Sequence, residues 1–309
     1  MTKPLVVSIA GEMDRAAKLA RCIDGDLAQM ETRCFPDGET YVRIDSAVDD
    51  REVLVVCSLD RPNQKVLPLI YIADTVRDLG ARRVGLVAPY LAYMRQDGRF
   101  QAGEGLTSSY FGNLLSGAFD WLVTVEPHLH RHSALDHLYS IPTRIVRAAE
   151  PIAHWIDEYV DRPLLVGPDE EAEQWVSAVC DAGGFPSIIF DKVRHGDYDV
   201  QITGSDTAVD ATRQAVIVDD IISTGRTMIE AVRHLEDIGL SAPSCVGIHG
   251  LFVEDALDEL KNAGVSDIVT CNTVKHETNG IDIGDNLAQV VCDVLAADSS
   301  LSRMQGDAV

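Results

Sequence analysis

The run Val216-Ile217-Val218-Asp219-Asp220-Ile221-Ile222-Ser223-Thr224-Gly225-Arg226-Thr227 constrains the fold more than any other stretch of the chain. Three β-branched residues in succession read as a short strand buried on both faces. Two carboxylates at its carboxyl end, a Ser-Thr-Gly-Arg-Thr turn and an amphipathic helix from Met228 to about Leu240 complete a strand–loop–helix unit. In a parallel α/β sheet, ligands gather at the carboxyl ends of the strands, and the free N–H groups of a helix N-terminus attract phosphate. Adjacent carboxylates suit sugar hydroxyls or a magnesium ion, which takes oxygen ligands. The hydroxyls and backbone N–H groups of Thr224, Gly225, Arg226 and Thr227 suit a phosphate monoester. One stretch thus holds parts for both ends of a ribose phosphate. An Asp-Asp pair alone does no more than cap a helix; the specificity lies in the whole run.

Apolar strands alternate with amphipathic helices through most of the sequence. Strands are expected at Leu5–Ala10, Glu52–Ser58, Arg83–Ala88 and Trp121–Val125, with helices at Met13–Ile23, Gln64–Leu79 and Thr107–Leu115. A second set has strands at Pro163–Val166, Ser187–Phe190, Ala215–Val218, Ser244–Ile248 and Asp267–Cys271, with helices between them. Short all-apolar strands between helices indicate parallel sheets covered on both faces, an α/β fold. The boundary between the sets falls near Ile145 to Pro151, giving units of residues 1–147 and 148–309. A last helix at Asp285–Ala297 could pack on either, and Ser299–Val309 reads as a frayed polar tail.

Composition excludes several classes. With 49 acids against 26 bases the net charge is −23, which argues against coating nucleic acid or binding an anionic membrane. Any polyphosphate site must therefore be locally basic or bridged by metal. Seven cysteines without a CxxC pair point to neither zinc nor a disulfide framework and fit a reducing cytoplasm. No signal peptide and no long uncharged apolar segment is expected.

Other segments carry chemistry by residue type. Phe35-Pro36-Asp37-Gly38-Glu39 is a turn before the alternating strand Tyr41–Ile44. Arg95, Gln96, Asp97 and Arg99 follow an apolar strand, where loop arginines are placed to grip phosphate bidentately. His128, His130 and His132 alternate after Trp121–Val125; the alternation resembles a zinc pattern, but the spacing is not that of a helical site. Asp169 follows another strand, and Glu170, Glu171 and Glu173 after it favour a helix dipole. Lys192 and Arg194 stand between a strand and a polar Gly-Asp-Tyr-Asp stretch.

Together these segments resemble ribose-phosphate pyrophosphokinases of the shorter, archaeal-like kind, in order from Leu5 to about Leu295. The 216–227 run is shared with type I phosphoribosyltransferases. The Phe-Pro-Asp-Gly-Glu and Arg-Gln-Asp segments separate the two, because transferases lack them. The resemblance implies two tandem type I phosphoribosyltransferase-like domains. It implies transfer of the β,γ-pyrophosphoryl group of Mg2+-ATP to the anomeric hydroxyl of ribose 5-phosphate, giving phosphoribosyl pyrophosphate (PRPP) and AMP. ATP would contact Phe35, Asp37, Glu39, Arg95, Gln96, Asp97 and Arg99, with Phe35, Asp37 and Glu39 serving a neighbouring subunit of a homo-oligomer. Ribose 5-phosphate would lie on Asp219, Asp220, Ser223, Thr224, Gly225, Arg226 and Thr227. His128 and Asp169 would serve magnesium, and Lys192 and Arg194 would be catalytic. Glu126, Arg226 and the acids at 170–173 depart from the family pattern. A PRPP-consuming transferase and a non-catalytic regulatory homologue remain as alternatives.

Overall fold

Runs that are apolar on both sides become central strands, and the computed structural model shows two such sheets. It describes residues 2–9, 11–99, 101–129, 131–132, 134–191, 199–203, 210 and 212–306. The chain divides into two compact units, Met1–Val146 with Gly284–Val309, and Arg147–Ile283.

In the first unit the elements run β1 (Leu5–Ser8), α1 (Met13–Cys22), β2 (Asp26–Leu27), β3 (Met30–Cys34), β4 (Thr40–Ile44), β5 (Glu52–Val56), α2 (Pro62–Asp78), β6 (Arg83–Ala88), α3 (Thr107–Ala118), β7 (Trp121–Val125) and β8 (Thr143–Val146). Six strands form a parallel sheet in the order β2-β1-β5-β6-β7-β8. The central strand β5 is buried at every residue, as a parallel strand covered on both faces must be. β3 and β4 stand apart as an antiparallel hairpin lying against α2.

The second unit runs α4 (Ala149–Tyr159), β9 (Pro163–Gly167), α5 (Glu173–Gly183), β10 (Ser187–Asp191), β11 (Asp199–Thr203), β12 (Gln214–Ile222), α6 (Arg226–Asp237), β13 (Ser244–Gly250), α7 (Ala256–Asn262), β14 (Asp267–Cys271) and β15 (Asn279–Ile281). Its seven strands follow the order β11-β10-β9-β12-β13-β14-β15, parallel except for the edge pair β10–β11. α6 buries Met228, Ala231, Val232 and Leu235, the i, i+3, i+4, i+7 stripe of an amphipathic helix, against Val166 and Ile217. The last helix, α8 (Gly284–Gly306), belongs to the first unit; its Asp285 pairs with Lys18 of α1 at 3.0 Å.

Three expectations need correction. The strand expected to end at Val218 continues through the acid pair to Ile222, because β13 keeps pairing with it to Gly250. α6 begins at Arg226, two residues before the expected Met228. The helical path of α8 runs to Gly306 rather than fraying at Ser299. Among the described residues, no helix is long and apolar enough to cross a membrane.

One packing contact in the first unit is exacting. Trp121 is fully buried, and its indole lies directly over Gly85 on the neighbouring strand, where any Cβ would overlap the ring. The indole Nε1–H donates to Glu52 Oε1 at 2.7 Å, so the ring has no room to retreat. Gly85→Ala should therefore destabilise the unit by roughly 2 kcal/mol, the usual cost of overpacking, read as a lower urea midpoint with an unchanged slope. An unaltered midpoint would show that the indole shifts freely.

Candidate active site

The first unit presents its family-like residues on two loops and the hairpin. Alternation along the hairpin strands places Arg33 opposite Tyr41 and Glu31 opposite Arg43. At the tip, the Phe35 N–H donates to the Glu39 carbonyl at 2.8 Å, and the Gly38 N–H donates to the Phe35 carbonyl at 2.9 Å. Gly38 has φ +93, a conformation that side chains disfavour, so glycine closes this turn. The Glu39 N–H donates to Asp37 Oδ1 at 3.2 Å, which turns part of that carboxylate back on its own loop. The Phe35 ring is left 40% exposed.

The loop after β6 carries Arg95, Gln96, Asp97 and Arg99. Arg95 and Arg99 are exposed, and Arg99 Nε donates to the Glu104 carbonyl at 3.0 Å. Gln96 is tied to the start of α3: its Oε1 accepts from Thr107 Oγ1 at 3.0 Å and its carbonyl from Ser108 Oγ at 3.1 Å. Asp97 does not stand open. Arg131 donates to it from its backbone N–H at 3.3 Å and from Nη1 at 3.0 Å, and the carboxylate side chain is only 8% exposed. The Arg131 side chain passes over Gly98, where a Cβ would collide with its guanidinium. Arg131 thus locks the Arg95–Arg99 loop to the loop that carries His128. Sequence reasoning missed this residue; glycine beside a loop aspartate is the only trace it leaves in sequence. His128 is half-buried, and Glu126 is buried with φ +29 in the same turn. His130 lies outside the described residues.

The second unit gathers its residues at the carboxyl ends of β9 and β12, which pair in parallel. Asp220 is 3% exposed, and its N–H donates to Asp219 Oδ1 at 2.8 Å. Burial first, and then the neighbouring carboxylates of Asp220 and Asp169, push the Asp219 carboxyl well above the usual carboxylate range. Asp169 also caps the turn leading into α5, accepting from the Ala172 N–H at 3.2 Å. Glu170, Glu171 and Glu173 beside it are exposed. Beyond Ile222 the chain turns through Ser223 and Thr224 to Gly225, whose φ of +71 lets α6 start at Arg226. A side chain at 225 would also press on Leu260 at 3.1 Å. Thr224, Arg226 and Thr227 are exposed at this helix start. Lys192 and Arg194 lie outside the described residues.

The segment after β13 builds the floor of this loop. The Leu251 and Phe252 N–H groups donate to the Ile222 carbonyl at 2.9 and 3.1 Å, and the Val253 N–H donates to the Ser223 carbonyl at 3.1 Å. Buried Thr273 donates to the Ile248 carbonyl at 2.8 Å, so its oxygen accepts from His249 at 2.9 Å and places the imidazole proton on Nδ1. His249–Phe252 and Asn272–Thr273 therefore hold the acid loop from behind. Among the described residues, no three His, Cys, Asp or Glu side chains group so as to hold a metal by themselves.

The architecture agrees with known proteins. A family model described as the N-terminal domain of ribose phosphate pyrophosphokinase matches residues 5–118, and a phosphoribosyl transferase domain model matches residues 136–286. A ribose-phosphate pyrophosphokinase of Methanobrevibacter smithii is 31% identical over 94% of this chain and all of its own length. The chain belongs to the ribose-phosphate pyrophosphokinase family. A relative of the same name from Methanothermobacter thermautotrophicus is 33% identical, again over 94% of this chain and 100% of its own. The fold matches a crystal structure of phosphoribosylpyrophosphate synthetase from Mycobacterium smegmatis, with a TM-score of 0.84 at 22% identity, over 96% of this chain and all of that one. Two phosphoribosyltransferase-like domains are thus present, and the first family model does not favour a transferase.

The state of Asp219 gives a testable consequence. Its folded pKa is raised, so the folded protein holds that proton more tightly than the unfolded chain. The resulting stabilisation is complete below the unfolded carboxylate pKa of about 3.9 and is lost as pH rises through the folded value. At neutral pH the unfolded chain's carboxylate is ionised, and Asp219 works against the fold. Asp219→Asn should raise the melting temperature of the ligand-free protein at pH 7 to 8, and the gain should vanish towards pH 4. A melting temperature below the parent's at pH 7.5 would refute this account of the strand end.

Proposed function

We propose that the chain makes PRPP: the anomeric oxygen of ribose 5-phosphate attacks the β-phosphorus of ATP. The bond from that phosphorus to the oxygen bridging it to the α-phosphate breaks, AMP leaves with that oxygen, and the hydroxyl proton is released. The observation that supports this most is the pairing, in one chain, of the acid-pair strand and glycine-started α6 with the aromatic hairpin and arginine loop. Relatives named for this reaction span the same length.

The roles follow from charge and position. Free N–H groups at the start of α6, with the Thr224 and Thr227 hydroxyls, hold the 5-phosphate, and the helix dipole adds to their pull. Asp220 and Asp219 take the ribose hydroxyls. Arg226 is exposed at the helix start, and in this reading its backbone N–H rather than its guanidinium holds the phosphate. Phe35 stacks on adenine, while Arg95 and Arg99 meet the triphosphate and Gln96 shapes the loop. Lys192 and Arg194 neutralise charge building on the transferred group. The chain's work is mainly to orient two substrates and stabilise charge, as in other phosphoryl transfers.

A magnesium ion fits the donors. Asp169, Asp219 and Asp220 offer only oxygen, and their mutual repulsion is relieved by a cation. Magnesium commonly binds through one or two carboxylates plus substrate phosphates, and so needs no three-ligand protein cage. The family likeness gives Asp169 and His128 as residues that would hold it, and it would neutralise and orient the triphosphate. Seven cysteines with no disulfide among them fit a reducing cytoplasm.

Incubating the protein with ATP, ribose 5-phosphate and magnesium should yield AMP and PRPP in equal amounts; ATP consumption without PRPP would refute the assignment. Lys192→Ala and Arg194→Ala should each cost about a hundredfold in turnover. Arg226→Gly should leave the KM for ribose 5-phosphate within a few-fold, and a large rise would give the guanidinium the phosphate.

The exposed hairpin further supports a homo-oligomer in which Phe35, Asp37 and Glu39 serve a neighbouring copy. Mixing Phe35→Ala with Lys192→Ala protein under subunit exchange should then restore activity that neither shows alone. Proven exchange without recovery would place each site within one copy.

A further inference from the structure

The outer face of the hairpin carries an aromatic–cation arrangement that the reaction has not accounted for. The guanidinium carbon of Arg33 lies 4.6 Å from the Phe35 ring centroid and 4.4 Å from that of Tyr41. Those two rings meet edge to face, 6.0 Å apart at 86°. Glu31 Oε1 anchors the same guanidinium at 3.4 Å, and Glu31 is itself paired with Arg43 at 3.3 Å. The arrangement follows from strand geometry. Arg33 precedes Phe35 by two residues, so both project to one side of β3, and Tyr41 is Arg33's cross-strand partner.

A phenylalanine on an exposed turn ordinarily samples several rotamers, and ordering it on binding weakens affinity. Here a cation covers one face of the ring and Tyr41 meets it edge to face. A flat base would stack on the face opposite the cation, and the ring is 40% exposed. The cation also draws π density from the ring, because ammonium and guanidinium groups are attracted to the negative face of an aromatic. The open face then stacks better on an electron-rich, two-ring base than on a smaller pyrimidine.

We infer that Arg33 is a positioning residue for nucleotide recognition: it fixes the Phe35 ring and biases its open face towards purines. This rests on the reading of Phe35 as the surface that meets the adenine ring. Arg33 acts through Phe35 and takes no part in the transfer itself.

The test is steady-state kinetics with ATP and with CTP for the parent, Arg33→Ala, Arg33→Lys, Arg33→Gln and Phe35→Ala. Arg33→Ala should raise the KM for ATP about fivefold, leave turnover and the KM for ribose 5-phosphate within twofold, and reduce the preference for ATP over CTP by a similar factor. Arg33→Lys keeps the charge without the plane, and Arg33→Gln a plane without the charge; each should recover part of the loss. An unchanged KM for ATP in Arg33→Ala, alongside a raised one in Phe35→Ala, would overturn the inference while leaving the base-stacking role of Phe35 intact. An unchanged KM in Phe35→Ala would overturn that role and the inference with it. A drop in turnover for Arg33→Ala that neither Lys nor Gln relieves would also overturn it, since that is the mark of a damaged hairpin.

Discussion

Everything around the acid pair of the second unit depends on forcing carboxylates into the end of a buried parallel strand. β12 is flanked by β9 and β13, so its apolar residues have no route to water, and the acids that follow inherit much of that burial. An isolated ionised carboxylate is costly in such a place unless it is paired, hydrogen-bonded or bound to a cation. Asp219 has two other carboxylates for neighbours, so it resists ionisation when the site is empty. A cation or hydrogen-bond donors placed there would relieve that penalty. Activity here opposes stability, and the fold supplies the difference through the packing of α6 and its neighbours.

The first unit solves a different problem, holding loops in place over a sheet without a comparable acid pair. Arg131 and Asp97 clamp two loops together, and Gln96 fastens one of them to α3. A nucleotide triphosphate needs cations on surfaces that do not move, because an arginine that must first be ordered gives up affinity. In a chain of net charge −23, that local arrangement matters more than the overall field, which repels anions at long range.

Much of this architecture is legible in the amino-acid sequence. Strands such as Glu52–Val56 and Ala215–Val218 announce themselves by continuous apolar runs, and the helices by their apolar stripe. The acid pair, the Thr-Gly turn and the aromatic hairpin are readable because each needs particular residue types. Other parts leave no such mark. Asp219–Ile222 reads as loop because aspartate disfavours strands, yet pairing with β13 overrides that preference. β3 and β8 are short and half-exposed, so no burial pattern marks them. β11 is an antiparallel edge strand whose direction depends on β10 alone. Nothing in sequence reveals the arginine 34 residues away on another loop that holds Asp97. The roles of Lys192 and Arg194 rest on family likeness, since both lie outside the described residues.

The return of α8 to the first unit has a consequence for how the protein is made. Residues 147–283 form an insertion within a unit whose α1 is packed by a helix beginning only at Gly284. During synthesis the inserted unit has all of its residues while the unit that began first still lacks one helix. Domains of a growing chain usually complete themselves in order from the amino end. Here the order is reversed, and the unit that began first receives its last helix after the inserted one is complete in sequence. A chain ending shortly after Ile283 would hold every residue of the inserted unit, while the unit around it lacked α8 and left one side of α1 bare.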